Sequence, residues 1–473
     1  MTGGERRARG VPTYRIVTLG CKLNQADSSA LEARLRRLGM RRAAEGRAPG
    51  GAGGAESGAD GGREAGADLV LLNTCTVTGG ADREARQIAR RLRRTNPGAT
   101  LVVTGCYAER DAEALRGIAG VDAVVGMADQ AGRVERIARA ALGLDDAVAS
   151  VVDPAAGGLD LGRFGETIAC DPAERDRTRA FLKIQDGCDL RCAYCVIPSV
   201  RGASRSLPAA MVLDRLAALG RGGYREVVLT GVNTGDWGGD FDPPDRLEHL
   251  LARALDGGAV ARLRLNSLEP RTVSERIASL LAGANGRLAR HLQVPLQSGC
   301  DTVLARMRRN YRTGDYSRVL ERVRSAVPDA ALGADVIVGF PGETDAEFES
   351  TCRFVEASPL AYLHVFPYSE RPGTAAASLG ERVPPPWIAA RSARLRALGS
   401  TLSLRFRRRF VGRSLEVLAL REVRPDGRIR ALSDNFIDCG LETGGRDAGE
   451  LFNRLVTARI TAVDEAGTLA EVA

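Results

Sequence analysis

Three cysteines in the run DGCDLRCAYCVIP, Cys188, Cys192 and Cys195, stand at the spacing C-x-x-x-C-x-x-C. As thiolates they can hold three irons of a four-iron, four-sulfur cluster and leave the fourth iron open for a small ligand. The same logic keeps one position open on catalytic zinc. Zinc here would want a fourth His or Cys, and none stands at usable spacing; the whole chain has 3 His. A second set, Cys21, Cys75 and Cys106, is spread through LGCKLNQADS, LNTCTVTGGADREAR and VTGCYAER. The residues alone leave this set open between a metal site and three buried thiols packed as small hydrophobes.

The elements that must position these thiols are legible in the hydrophobic pattern. Residues 14–20 and 101–106 read as strands, and residues 68–75 as a strand running into a loop. Residues 25–38 and 81–94 read as helices, with Leu31, Leu35 and Leu38 near helical spacing in the first. This alternation predicts an α/β domain with a parallel sheet, and each of the three cysteines falls just past a strand's C-terminal end, the edge where such sheets bind ligands. Residues 41–67 carry no large apolar side chain and are expected to be a mobile insertion. A polar stretch around 153–177 reads as a linker. Beyond it, strands at 180–185, 226–231, 261–267, 292–297, 334–340 and 362–368 alternate with helical stretches. Six such repeats predict a partial (β/α)6 barrel with its site at the strands' C-terminal ends. A helix over 387–409 then gives way to short alternating strands after Arg413, the pattern of a small all-β barrel.

A chain of 473 residues has room for about three domains at roughly 150 residues each. Its 44% hydrophobic and 27% charged composition is that of a globular protein. No run of about 18 apolar residues predicts a transmembrane helix, and the polar, basic first ten residues carry no secretory signal. The net charge of +8 (67 basic against 59 acidic residues) suits a polyanionic partner such as nucleic acid. Aromatic residues, at 4%, make a surface built on base stacking not the obvious design. Arg83, Arg86, Arg90 and Arg94 fall near one face of their helix. Arg405, Arg407, Arg408 and Arg409 precede the β region. Both stripes are candidates for phosphate contacts.

The run around Cys188, Cys192 and Cys195 resembles the signature of the radical S-adenosylmethionine superfamily. The resemblance implies that the open iron chelates the methionine amine and carboxylate, and that electron transfer cleaves the sulfonium to a deoxyadenosyl radical. It places Tyr194 against the adenine. Thr230 and Gly231, in LTGVN, fall where relatives contact the methionine amine. Ser267 and Glu269, in NSLEP, fall where ribose contacts are expected, and Gly339 and Glu343, in DVIVGFPGET, follow the fifth strand. Across nearly the whole chain the order of segments is similar to that of methylthiotransferases. By that resemblance residues 12–145 form the N-terminal domain, residues 146–177 a linker, residues 178–402 the radical core, and residues 403–473 a TRAM barrel that binds RNA. Cys21, Cys75 and Cys106 would then hold an auxiliary four-iron, four-sulfur cluster that carries or donates sulfur. Cys170, Cys300, Cys352 and Cys439 match no ligand position.

Three substrate branches exist in that family: threonylcarbamoyl-adenosine in tRNA, isopentenyl-adenosine in tRNA, and an aspartate of a ribosomal protein. Lys22 with Asn24, and Thr76 with Thr78, resemble the threonylcarbamoyl branch. The expected activity is therefore addition of a methylthio group to C2 of N6-threonylcarbamoyladenosine at position 37 of tRNA. It would use two S-adenosylmethionine molecules, a reducing electron donor and a sulfur source, in the cytoplasm and without a membrane partner. A non-catalytic iron-sulfur RNA-binding protein is the remote alternative. Arg201 and Arg205, in RGASRS, are candidate contacts to cofactor or RNA.

Overall fold

The computed structural model describes residues 11–43, 66–128, 130–142, 164 and 178–473. Most of the Gly/Ala-rich stretch, nearly all of the linker, and Cys170 lie outside the described residues. The chain divides into two units. The first comprises residues 1–50, 56–168 and 199–201, and the second residues 51–55, 169–198 and 202–473.

The first unit is built on a five-stranded parallel sheet. Its spatial order is Arg41–Arg42, Thr13–Thr18, Leu69–Thr74, Thr100–Gly105, Ala123–Val125. Arg41 and Arg42 pair with Thr13 and Tyr14, so the sheet claims the first two residues of the stretch expected to be mobile. The central strand LVLLNT is buried at every position, as a parallel strand covered on both faces must be. Its side chains alternate between two cores. Val70 and Leu72 join Ala85, Ala89 and Leu92 of the helix Gly79–Thr95. Leu69 and Leu71 join Leu31 and Leu35 of the helix Lys22–Arg37. Thr78 caps the helix Gly79–Thr95 by accepting from the Ala81 N–H at 3.1 Å.

In the second unit all six expected strands form, as two parallel sheets of three. One has the order Arg262–Leu265, Glu226–Thr230, Ala180–Lys183; the other His291–Gln293, Ala331–Val338, Tyr362–Pro367. A parallel bridge from Leu263 to Leu288 links the first sheet towards the second. The fourth strand is shorter than its pattern suggests. Pro295 cannot donate to a ladder, and pairing resumes only as the isolated bridge of Gln297 with Val336. The helix Pro385–Arg408 runs without a break into a closed five-stranded barrel. The barrel core gathers Val417, Ala419, Ile429, Leu441 and Ile460 around Phe406 and Phe410.

A buried charge network fastens this barrel to the first sheet. Arg262 and Arg264 occupy alternate positions of one strand, a pattern that looks solvent-facing, yet both are buried. Arg264 grips the fully buried Glu226 with two hydrogen bonds of 2.9 and 3.0 Å, and donates to the Ser433 and Asp434 carbonyls at 3.0 Å each. Arg262 reaches the Glu416 carboxylate at 2.7 Å. Burial alone would push the Glu226 carboxyl up, but Arg264, Arg179 and Arg262 together bring it down to about 2. Glu226→Gln leaves three guanidinium groups around a neutral amide, and should cost about 3–5 kcal/mol, the usual cost of breaking a buried pair. A carboxyl depressed on folding stabilises above its unfolded pKa. The wild-type chain should therefore lose this contribution as pH falls from the ordinary glutamate range towards 2, whereas Glu226→Gln should lack that acid-dependent loss. Thermal melting of both proteins across acidic pH measures it.

Candidate functional site

In the first unit the three predicted cysteines meet the C-terminal edge of the sheet. Cys21 directly precedes the helix Lys22–Arg37, Cys75 directly follows the strand Leu69–Thr74, and Cys106 opens the helix Cys106–Arg110. Gly20 precedes Cys21 with φ +97°. A Cβ there would lie 2.5 Å from the Cys75 Cβ, so only glycine lets these two cysteine-bearing segments approach so closely. Asn24 ties the edge together by donating to the Leu19 and Thr74 carbonyls at 2.9 Å each. The thiols feel one another: burial first, and then Cys21, push the Cys75 thiol up to about 12. Burial also raises Cys106, against a lowering by Arg201. Arg201 belongs to this unit, is 2% exposed, and donates to Cys106 Sγ at 3.1 Å, to Asn24 Oδ1 at 3.1 Å and to Asp27 Oδ2 at 2.8 Å.

Thr76 and Thr78 serve the scaffold of this edge. Thr78 is the helix cap, and Thr76 donates to Asp82 at 2.7 Å while accepting from Arg110 at 2.8 Å. The basic stripe on the same helix is divided. Arg83, Arg90 and Arg94 are exposed, whereas Arg86 is half-buried and donates to the Tyr107 hydroxyl at 2.5 Å.

In the second unit the cysteine loop follows the first strand and the two-residue ribbon Gln185–Asp186, which pairs with Arg205–Ser206. Gly187, at φ +72°, sits where a Cβ would meet the Ala203 carbonyl oxygen at 2.0 Å. The Cys195 N–H donates to the Cys192 carbonyl at 3.1 Å, and the Ala193 N–H to the Met307 carbonyl at 2.9 Å. Tyr194 and Ala193 pack with Val303, Met307, Phe340 and Ala376. Burial raises the Cys188 thiol to about 11 and the Cys195 thiol to about 12, with Cys192 adding to both shifts.

The other predicted residues fall at the strand ends. Thr230 is fully buried and accepts from Asn266, which also donates to Ser267 Oγ at 3.0 Å, so one amide links the second and third strand ends. A Cβ on Gly231 would lie 2.7 Å from Gln185 Oε1. Ser267 has φ +55°, rare for a residue with a side chain. Glu343 has partners of its own: it accepts from the Gly339 N–H at 2.8 Å and from Arg391 at 2.8 Å, within the frame of the loop. Glu269 is joined to the cysteine loop through Arg309, a residue the sequence pattern does not single out. In MRRNYR it looks like one of a surface charge run, but its side chain is almost wholly covered and contacts both Cys192 and Glu269.

Among the described residues every cysteine is free, and no three His, Cys, Asp or Glu side chains stand close enough to share one metal ion. Each thiolate of a cluster binds its own iron, so a cluster does not need them to converge on a point. The donor sets fit such a group in their chemistry: three thiols along one sheet edge in the first unit and three on one loop in the second. Asn73 Oδ1 at the end of the strand Leu69–Thr74 in the first unit, and Asn233 Oδ1 and Thr234 Oγ1 after the second strand of the second, are buried without a hydrogen-bond partner. Unmetallated, the buried thiols are neutral; iron would hold them as thiolates and reverse that.

The Radical SAM superfamily profile matches residues 182–355. The profile described as uncharacterized protein family UPF0004 matches residues 56–126, which include Cys75 and Cys106. A radical S-adenosylmethionine methyltransferase, TsrM of Kitasatospora setae, shares the fold with a TM-score of 0.50. It is 17% identical, over 75% of this chain and 72% of that one. The profile match, which spans the thiol loop, gives the class: residues 182–355 form a radical S-adenosylmethionine domain. The chain is 34% identical over 429 residues to the threonylcarbamoyladenosine tRNA methylthiotransferase of Bacillus subtilis, spanning 90% of this chain and 89% of that one. It is also 34% identical over 432 residues to the tRNA-2-methylthio-N(6)-dimethylallyladenosine synthase of Thermobifida fusca, spanning 90% and 82%. The chain belongs to the radical S-adenosylmethionine methylthiotransferase family.

Proposed function

We propose that this chain adds a methylthio group to C2 of N6-threonylcarbamoyladenosine at position 37 of tRNA. The observation that carries the reading is the pair of three-thiol sets, one in each unit. A purely structural cluster favours four protein ligands, whereas two sets of three leave an iron open in each for a small molecule. When bound, the cluster on Cys188, Cys192 and Cys195 supplies the electron that cleaves S-adenosylmethionine, and the one on Cys21, Cys75 and Cys106 supplies a place for sulfur.

The chain's own residues orient the reactants. The strand-end residues Thr230, Gly231, Ser267 and Glu269 are assigned to S-adenosylmethionine, with Tyr194 against its adenine and Gly339 and Glu343 shaping the loop beside it. Asn266 and Gln185 join them as residues that lock those strand ends. The closed C-terminal barrel is assigned as the TRAM domain that holds tRNA. Arg405 and Arg408 are exposed and available for phosphate. Arg407 and Arg409 are committed to the Gly467 carbonyl at 2.6 Å and the Pro328 carbonyl at 2.9 Å. A reducing electron donor and a sulfur source complete the reaction, and the cytoplasm is the proposed compartment.

Lys22 with Asn24 and Thr76 with Thr78 favour threonylcarbamoyladenosine over the other substrates. The similar identity to a dimethylallyladenosine synthase makes isopentenyl-adenosine the second reading. Nucleoside mass spectrometry of tRNA from cells with and without the gene separates them. Loss of 2-methylthio-N6-threonylcarbamoyladenosine, with the unmethylthiolated form accumulating, is the expected result. Loss of the methylthio form of isopentenyl-adenosine would overturn the substrate. An unchanged tRNA profile would turn the assignment to the ribosomal-protein branch.

A further inference from the structure

The Arg309 side chain is 2% exposed, yet it carries a full charge shared between two partners. One end of its guanidinium donates to Cys192 Sγ at 3.0 Å. The other is ion-paired to Glu269. Its Nε donates to the Tyr311 hydroxyl at 3.2 Å, and that hydroxyl is anchored on the Pro295 and Leu296 carbonyls at 2.9 Å. The fork is therefore fixed from behind by the irregular stretch after the fourth strand, and presents two donors in front at a set separation.

We infer that Arg309 is a positioning residue that sets the reduction potential of the cluster on Cys192 and locks that thiolate to the Glu269 carboxylate at the third strand end. The inference rests on the reading of Cys188, Cys192 and Cys195 as cluster ligands. An N–H directed at a ligating sulfur, with a positive charge behind it, stabilises the extra electron of the reduced cluster and so raises its potential. Glu269 opposes this by neutralising the same charge. The two residues should therefore move the potential in opposite directions, a signature that a merely structural role for either would not produce. Lysine in place of Arg309 keeps the charge but cannot reach both partners at once.

The test uses the full chain, reconstituted anaerobically with iron and sulfide in Cys21→Ala, Cys75→Ala, Cys106→Ala background so that one cluster is read. Potentials come from spectroelectrochemistry with electron paramagnetic resonance of the reduced state, and S-adenosylmethionine affinity from titration of that signal. R309Q and R309K should both carry cluster at a more negative potential, R309K by the smaller amount, and E269Q at a more positive one. Deoxyadenosine formation in R309Q should fall about 10- to 100-fold, the usual cost of losing an outer partner of a metal ligand. Unchanged potentials in both Arg309 variants, with only weakened S-adenosylmethionine affinity, would overturn the inference and make Arg309 a ligand contact. A parent protein that takes up no iron would instead overturn the reading of the three cysteines.

Discussion

Replacing Cys192 with alanine is expected to reduce deoxyadenosine formation to the background of the reagents, a loss of at least about 100-fold, since outer partners alone cost about 10- to 100-fold. In the proposed arrangement three thiols would hold the cluster, with none spare. Among the other described cysteines, Cys300 engages Thr302 Oγ1 at 3.1 Å, Cys352 is buried in the helix Asp345–Ala357, and Cys439 lies in the barrel core facing the Ala431 carbonyl. None stands ready to replace Cys192. The fold itself should survive, because Cys192 is only half-buried and belongs to a loop whose backbone bonds run through Ala193 and Cys195. Arg309 would keep Glu269 as a partner, so no buried charge is stranded. The measurement is deoxyadenosine released by the reduced protein under anaerobic conditions, with thermal melting as the control. Full turnover in this variant would end the radical assignment.

Replacing Cys75 with alanine should give the complementary result. Deoxyadenosine should still form, because Cys188, Cys192 and Cys195 are untouched, but methylthiolated tRNA should fall below detection. Cys75 is tightly held: it directly follows the central strand, a Cβ on Gly20 would collide with it, and burial keeps it neutral until metal displaces the proton. The substitution removes one sulfur atom from a polar edge, so the sheet and its two apolar cores remain. The two products, measured in one reaction mixture, separate the roles of the thiol sets. Equal loss of both would show that the first set is needed for cleavage itself. Retention of methylthiolated tRNA would make Cys75 a packing residue.

Much of this architecture is written in local pattern. Short apolar runs that end in polar turn residues, such as LVLLNT and LVVTG, read as strands covered on both faces, and helical stretches between them favour parallel pairing. The spacing of Cys188, Cys192 and Cys195 is equally local. All three sit on one loop, so their proximity along the chain needs no knowledge of the rest of the fold. For Cys21, Cys75 and Cys106 the sequence supplies strand ends, and the parallel order of the sheet does the rest.

Tertiary structure alone decided which charges are interior. Arg262 and Arg264 sit on the alternation of a half-exposed strand, and nothing nearby in sequence announces that a barrel some 150 residues later covers them; Glu226 makes that burial tolerable by pairing with both. Arg309 looks like a member of a surface basic run, and Arg201 is legible only as a candidate contact to cofactor or RNA, yet each delivers a guanidinium N–H to a cysteine of one thiol set. Helical and strand periods report apolar faces reliably, because burying hydrocarbon is favourable wherever it happens. They cannot report a buried cation, whose low energy depends on the particular carboxylates and sulfurs that the fold brings from distant segments.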